Sequence, residues 1–516
     1  GTWPVMRWVG RAAAPAFAAQ TRQPCLRPRS PAPGGAARAG RECIMQPVTQ
    51  RSSFQRGTPF PLIARTPASE PAEATAPLCP DVLVIGGGPA GTTAASLLAR
   101  RGRRVLLLEK DVHPRFHIGE SLLPMNLPLL ERLGVLAEVE AIGVRKRGAD
   151  FPVADGRYNV FRFERALAPA KGPRFDHAFQ VRRDQFDALL FAHARRCGVD
   201  AREAVEVQAI AFETDGRASV RARGPEGVIE VRPRYVVDAS GRDTLLGRHL
   251  KLKRRDTRHQ SAAIFGHFRG VARRPGEDAG NITVQRFAHG WMWLIPLPDE
   301  VMSIGAVCFP EYLKQRRGDR EAFLMDTLAS VPEVRERMQG AERVGPVHVT
   351  GNYAYACTRM GGRGWVMAGD AYAFVDPIFS SGVHFAMLSA ELAAGVADGA
   401  LDDPTRERAL QRDMTRRFRR GLDHFSWFIQ RFTSPVMREL FAHPRNALQI
   451  EQAVISMLAG DVFDNPRVWW RLRAFRAIYA LTALRMLPRA MADALRRRRR
   501  ARLHFGDETL QPGAAE

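Results

Sequence analysis

The sequence predicts an α/β protein: a Rossmann-like dinucleotide-binding domain, an antiparallel-sheet domain and a helical C-terminal extension. Three observations predict it. A short apolar run, residues 81–85, leads directly into Gly86-Gly87-Gly88-Pro89-Ala90-Gly91, and that glycine-rich turn opens a helical pattern. Residues from about 258 to 350 are strand-rich, which is the composition of a sheet rather than of further strand–helix units. Residues 403–500 carry helical periodicity, broken at Pro435, Pro444, Pro466 and Pro488.

Taken in order, residues 1–78 are rich in Ala, Pro, Arg, Gly and Ser and hold no hydrophobic period. This segment reads as disordered, either a transit-like peptide or upstream sequence with Met45 as one candidate start. A strand at 81–85, a helix at 89–101 and a strand at 104–108 follow. Residues 111–190 read as loops and helices, ending in the amphipathic run 184–196. Residues 200–237 alternate as strands, with turns at Asp215-Gly216 and Gly224-Pro225. A second strand–turn–helix unit spans 364–399. The expected domains are therefore 79–255 with 350–400 for the dinucleotide, 256–349 for the β-rich part, and 401–516 for the helical region.

Composition narrows the class. The hydrophobic share of 45% is that of a globular protein. No apolar run is long enough to span a bilayer. The six cysteines show no CxxC or metal spacing, which points to a reducing, cytoplasmic setting without a metal site. The formal net charge of +23 favours acidic partners, yet it comes almost wholly from arginine and brings no nucleic-acid motif with it. Nucleic acid is therefore not an expected partner. Lysine stands only at 110, 146, 171, 251, 253 and 314.

The GxGxxG run gives each residue a task. Gly86 makes the tight turn, Gly88 admits a pyrophosphate, and Gly91 lets helix and strand pack closely; Pro89 and Ala90 start the helix whose N-terminus faces the phosphates. Glu109, at the end of the next strand and followed by Lys110, is placed to accept ribose hydroxyls. This motif alone does not separate NAD from FAD.

Other strings do. Val236-Val237-Asp238-Ala239-Ser240-Gly241, Val181-x-Arg183-x-x-Phe186-Asp187 and Gly364-Trp365-Val366-Met367-Ala368-Gly369-Asp370-Ala371 resemble segments of the flavoprotein monooxygenases. The resemblance implies FAD, with Arg183 touching the flavin and Gly369 and Asp370 at the ribityl chain. With Trp291-Met292-Trp293-Leu294-Ile295-Pro296 added, the chain resembles the flavin-dependent halogenases, whose signature is WxWxIP. Residues 115–124, with Arg115 and Ser121, resemble the flavin-side loop of the phenol- and pyrrole-directed branch. Residues 376–383 resemble the segment at the flavin ring and halide, placing Ser381 and Gly382 at the halide and Gly382 and Val383 at FAD.

If residues 291–295 are extended, a period of two puts Trp291, Trp293 and Ile295 on one face, and Pro296 ends the strand. Taken alone, such a pair is equally a core strand. Lys146, in Lys-x-Gly-Ala-x-Phe, resembles the family's essential lysine. It stands between Arg145 and Arg147 in a chain that otherwise prefers arginine, and only an amine loses its proton near neutral pH. The resemblance implies that reduced FAD, dioxygen and chloride or bromide yield hypohalous acid. That acid passes the indole wall to Lys146 and halogenates an electron-rich phenolic or pyrrolic ring, free or tethered to an acidic carrier protein. Tryptophan-directed members carry a glutamate where Phe379 stands, so Phe379 points away from free tryptophan. His117, His289 and His384 are read first as structural histidines.

No second nucleotide fingerprint is present, so a separate flavin reductase is the expected partner. The arginine-rich tail, with its apolar set from Trp469 to Leu481, suits a carrier, an anionic membrane surface or simple packing. An aromatic hydroxylase or a polyprenyl-type reductase is the alternative on the same scaffold, and a non-catalytic flavin-binding protein is the more distant one.

Overall fold

The computed structural model describes residues 76–501 apart from 154–155, 171, 316–317 and 443–445. The N-terminal segment through residue 75, Cys25, Cys43, Lys171 and Pro444 lie outside the described residues, as do the side chains of 497–500.

Val82–Ile85 is the axis of a six-stranded sheet in the order Gly361–Gly362, Trp365–Met367, Tyr235–Asp238, Val82–Ile85, Val105–Leu108, Asp200–Arg202. All its pairs are parallel except the outermost hairpin at 361–367. The central strands are wholly buried and lack polar alternation, as expected of a parallel sheet covered on both faces. Helices Pro89–Ala99, Arg183–Arg196 and Gly382–Asp402 pack around it.

An eight-stranded sheet supplies the other half. Its order is Ala373–Phe374, Glu342–Cys357, Lys253–Arg269, Val301–Cys308, Gly290–Pro296, Ile282–Phe287, Gly148–Pro152, Tyr158–Arg162. The strand Gly290–Pro296 is interior and buried at every position. Its alternate residues nevertheless enter different cores. Trp291, Trp293 and Ile295 join the core shared with the dinucleotide half, whereas Met292 and Leu294 join a second core behind the sheet. Gly305, directly opposite Trp293, makes room for the indole; a Cβ there would lie 2.3 Å from the Trp293 ring.

Two sequence expectations are corrected. Residues 111–190 contain strands at Gly143–Lys146, Gly148–Pro152, Tyr158–Arg162 and Ala178–Val181; charged or glycine residues hide the period of two in the first three, and the last is only four residues long and buried throughout. Within the strand-rich block, Pro310–Leu313, Arg320–Ala329 and Pro332–Arg337 are helices. Phe323, Leu324, Leu328 and Val334 on these helices cover the Met292 side of the sheet, which would otherwise face water. In the tail, Pro435 and Pro466 open helices, at the first-turn position where a missing N–H costs nothing.

Candidate active site

A cavity of about 410 Å³ lies between the two sheets. The glycine-rich turn builds its first wall. Gly86 has φ +101, and a Cβ there would sit 2.4 Å from the Ala239 carbonyl oxygen. Gly91 does not line the cavity; a Cβ on it would approach the Gly86 carbonyl oxygen to 1.8 Å, so this glycine sets the contact of helix and strand. Gly86, Gly88, Pro89 and Ala90 line the wall.

Glu109 and Lys110 line the same end. One Glu109 oxygen accepts from the Gly87 N–H at 2.5 Å and the other from the Asp111 N–H at 2.9 Å. Lys110 pairs with Asp243 at 2.7 Å, with both side chains near half exposed. Arg115 lies beside Gly88 and reaches Asp187 at 3.3 Å and Glu109 at 3.6 Å. Arg183 is buried and forms a two-point pair with Asp187 at 2.8 and 2.9 Å; it also donates to the Ile118 carbonyl at 2.6 Å. Both arginines therefore pin the 115–121 loop over the cavity, an arrangement the short motifs did not predict.

Asp370, Gly382 and Val383 close the far side. Burial pushes the Asp370 carboxyl up to about 6, with Arg242 and Arg183 holding it down in part, and no donor among the described residues meets it. Gly369 sits just behind, its N–H donating to Ser389 Oγ at 2.7 Å. Ser381 precedes the helix Gly382–Asp402, and its buried hydroxyl has no partner among the described residues. A backbone cradle that excludes side chains, an acid without a donor and an orphaned hydroxyl at a helix start together fit an FAD molecule with a small anion beside it.

Trp291, Trp293 and Ile295 form the opposing wall. The indole centroids are 5.9 Å apart, and Trp293 Nε1 donates to Ser303 Oγ at 3.1 Å. Trp291 bonds Asp376, whose carboxyl burial raises to about 7 against the hydrogen bonds of Ile378, Trp291 and Ser261. Pro296 ends the strand away from the cavity.

Lys146 does not line the cavity either. It stands directly behind Ser121, which does. The residue is 1% exposed, and its Nζ donates to Ser121 Oγ at 2.9 Å and to the Leu122 carbonyl at 3.0 Å. No carboxylate among the described residues balances it, and burial lowers its pKa to about 7. Of the three histidines, only His117 lines the cavity, and burial lowers it to about 4. His289 stacks on Tyr312, and His384 is buried against Phe463. Sequence reasoning missed Arg242, which lines the cavity and donates to Thr350 Oγ1 at 2.6 Å, because its partner is 108 residues away.

Comparison with known proteins agrees with this geometry. The FAD binding domain family matches residues 80–395. The chain is 37% identical to a tryptophan 2-halogenase of Chondromyces crocatus over 61% of its own length and 60% of that protein's. It is 30% identical to the 1H-pyrrole-2-carbonyl-[peptidyl-carrier protein] chlorinase of Pseudomonas fluorescens over 75% of its own length and 90% of that protein's. Among solved structures, the myxobacterial chondrochloren halogenase, described as a variant of FAD-dependent halogenases, superposes with a TM-score of 0.64 at 31% identity, covering 77% of this chain and 97% of that one. A chain with this cradle, this cavity and these relatives belongs to the flavin-dependent halogenases.

Proposed function

We propose that the protein halogenates an electron-rich aromatic ring with a halide, dioxygen and reduced FAD, and that Lys146 delivers the electrophilic halogen. The observation that carries this reading is the state of Lys146: buried, without a counter-ion and with a pKa lowered to about 7, one residue behind the wall of the cavity. An amine in that state is neutral in a large share of molecules near neutral pH, as halogen transfer requires.

Bound FAD in its reduced form, with dioxygen, supplies the oxidising power that turns halide into hypohalous acid. The chain's own residues do the rest. Gly86 and Gly88 leave room for the pyrophosphate, the N-terminus of the helix that Pro89 and Ala90 begin faces it, Gly91 lets that helix pack on the strand, and Glu109 takes the ribose hydroxyls with Lys110 beside it. Asp370 and Gly369 hold the ribityl chain; Arg115, Ser121, Arg183, Gly382 and Val383 contact the flavin. The Ser381 hydroxyl and the Gly382 N–H hold the halide. Trp291, Trp293 and Ile295 keep the organic substrate from the flavin, with Pro296 ending their strand, so oxidant reaches halide rather than ring. In this reading residues 79–255 and 350–400 bind FAD, apart from the strands Gly148–Pro152 and Tyr158–Arg162, which join 256–349 on the substrate side, and the helices from 401 to 501 cover it.

Phe379, buried and edge-on to Phe432, favours a phenol or pyrrole, which supplies its own electron density. The similarity to a tryptophan halogenase keeps an indole in the test set. The chlorinase relative supports a carrier-tethered substrate. Ile478, Leu481, Leu484, Leu487, Met491 and Leu495 are exposed on the arginine-rich C-terminal helices, which offers a docking face for an acidic carrier or for an anionic membrane surface. No helix among the described residues is long and apolar enough to cross a membrane. A separate reductase supplies the reduced flavin.

The test is incubation with FAD, a flavin reductase, NADH, oxygen and bromide against phenols, pyrroles and indoles, read by mass spectrometry for the bromine isotope pair. Brominated product is expected. Hydroxylated product alone would move the protein to the hydroxylase alternative.

A further inference from the structure

Arg286 is a cation for which the proposed reaction has no task. It lies on the strand Ile282–Phe287, directly opposite Trp291 in the antiparallel ladder. Paired residues share a sheet face, so its side chain stands on the same face as the two indoles. The guanidinium lies 4.1 Å from the Phe432 ring centre and 5.5 Å from that of Phe441. Phe432 also meets Phe379 edge-on at 5.5 Å. Arg286 and Phe379 therefore border the same ring, on the side of the sheet where the aromatic substrate is expected.

The polar atoms of this arginine are not satisfied. Its Nε and Nη2 are inaccessible to solvent and meet no acceptor among the described residues. A ring below a guanidinium attracts the charge but leaves the in-plane N–H groups bare. The one charge that acts on it among the described residues is Arg438, of the same sign; burial and that repulsion lower its pKa to about 9. Buried donors in folded proteins are met by an acceptor in the great majority of cases. Here rings supply an apolar bed. The residue is only partly buried, and Nη1 is not among its enclosed atoms, so a ligand meets the guanidinium at that end.

We propose that Arg286 binds an anionic oxygen carried by the aromatic substrate, a phenolate or an aryl carboxylate, and so selects such rings over their neutral analogues. That the ligand is a substrate rests on the halogenase reading; that the site binds an aromatic oxyanion does not. A guanidinium offers two parallel N–H donors to a carboxylate, and it equally stabilises a phenol that has released its proton to solvent. The second case fits Phe379. With no carboxylate there to act as base, a neighbouring cation keeps the hydroxyl ionised and the ring electron-rich.

The test uses the full chain loaded with FAD and measures binding by calorimetry for two matched pairs: benzoate against benzamide, and para-nitrophenol against para-nitroanisole. The expected preference for the anion is about 10- to 100-fold in the wild type. It should fall to near unity in Arg286→Met and remain partly in Arg286→Lys, with FAD content unchanged. Bound para-nitrophenol should show the phenolate colour at a pH below its free transition. Preference within one pair only assigns the site to carboxylates or to phenolates. Equal affinity within both pairs, or a preference that Arg286→Met leaves intact, overturns the proposal. If Arg286→Met precipitates, the wild-type ratios and Arg286→Gln decide in the same way. Selective binding without bromination of any ring would sink the halogenase reading and leave this site standing; bromination without selectivity would do the reverse.

Discussion

The dinucleotide half and the sheet half shape the cavity with different parts of the chain. In the first, the backbone is the instrument. Gly86 and Gly91 matter because they have no Cβ, and the surrounding carbonyls come closer than any side chain permits. In the second, side chains are the instrument. The strand Gly290–Pro296 divides its residues by parity, with indoles toward the cavity and Met292 and Leu294 toward a separate core. A backbone site is contiguous in sequence and tolerates no added atom. A side-chain wall is distributed, and its members can be exchanged at graded cost.

Substitutions that test this contrast should differ in kind. The largest effect is expected from Gly91→Ala, whose methyl group would enter the 1.8 Å approach to the Gly86 carbonyl oxygen. Flavin absorbance of the purified protein should show FAD retention reduced by about two orders of magnitude or lost with the fold. Lys146→Ala comes next. It should retain FAD while brominated product drops by about 100-fold or more, in line with the loss of a transfer group. Wild-type product levels would remove Lys146 from the mechanism. Met292→Ala should act on the other side of the same strand. A loss of about 2–5 kcal/mol in chemical unfolding is expected, with an unaltered ratio of halogenated to hydroxylated product. Trp293→Phe should reverse that pattern. Stability should change by less than about 1.5 kcal/mol, while hydroxylation or uncoupled oxygen consumption rises several-fold. If Met292→Ala and Trp293→Phe behave alike, the division of the strand into a chemical and a structural face is wrong.

A further effect is one of pH. Lys146 has a folded pKa lowered to about 7 from an ordinary 10.5, so between those values the folded protein binds fewer protons on this amine than the unfolded chain does. Stability from this group is thus fully present above the unfolded value and is lost as pH falls through the window; below about 7 the penalty is constant. Unfolding curves of the wild type should rise with pH across that window relative to Lys146→Met. Bromination should rise through the same lower limit as the amine loses its proton.

Local patterns carried much of this architecture. A strand followed by GxGxxG, an acid at 109 and an alternating Trp-x-Trp are short-range statements, and each stands where its spacing placed it. Elements whose reason is remote were not readable. The strand Gly148–Pro152 buries Asp150, a choice that makes sense only beside Asn281 at 2.9 Å and Arg274 at 3.2 Å, more than a hundred residues away. The helices at 310–337 sit inside a strand-rich block because the Met292 face needs a cover, a need that exists only once the sheet has formed.

What the sequence determined by itself is the chemistry that depends on residue type and local geometry: the glycine cradle, the two indoles on one face and an amine in a chain of guanidinium groups. What only the tertiary structure decided is the state of those groups. Lys146 is one lysine among six until Ser121, Leu122 and Phe163 enclose it, and Arg286 is one arginine among many until Phe432 and Phe441 strip it of acceptors. The physical reason is common to both. Charge state and hydrogen-bond satisfaction are set by desolvation, and desolvation is a property of neighbours that the chain brings together only by folding.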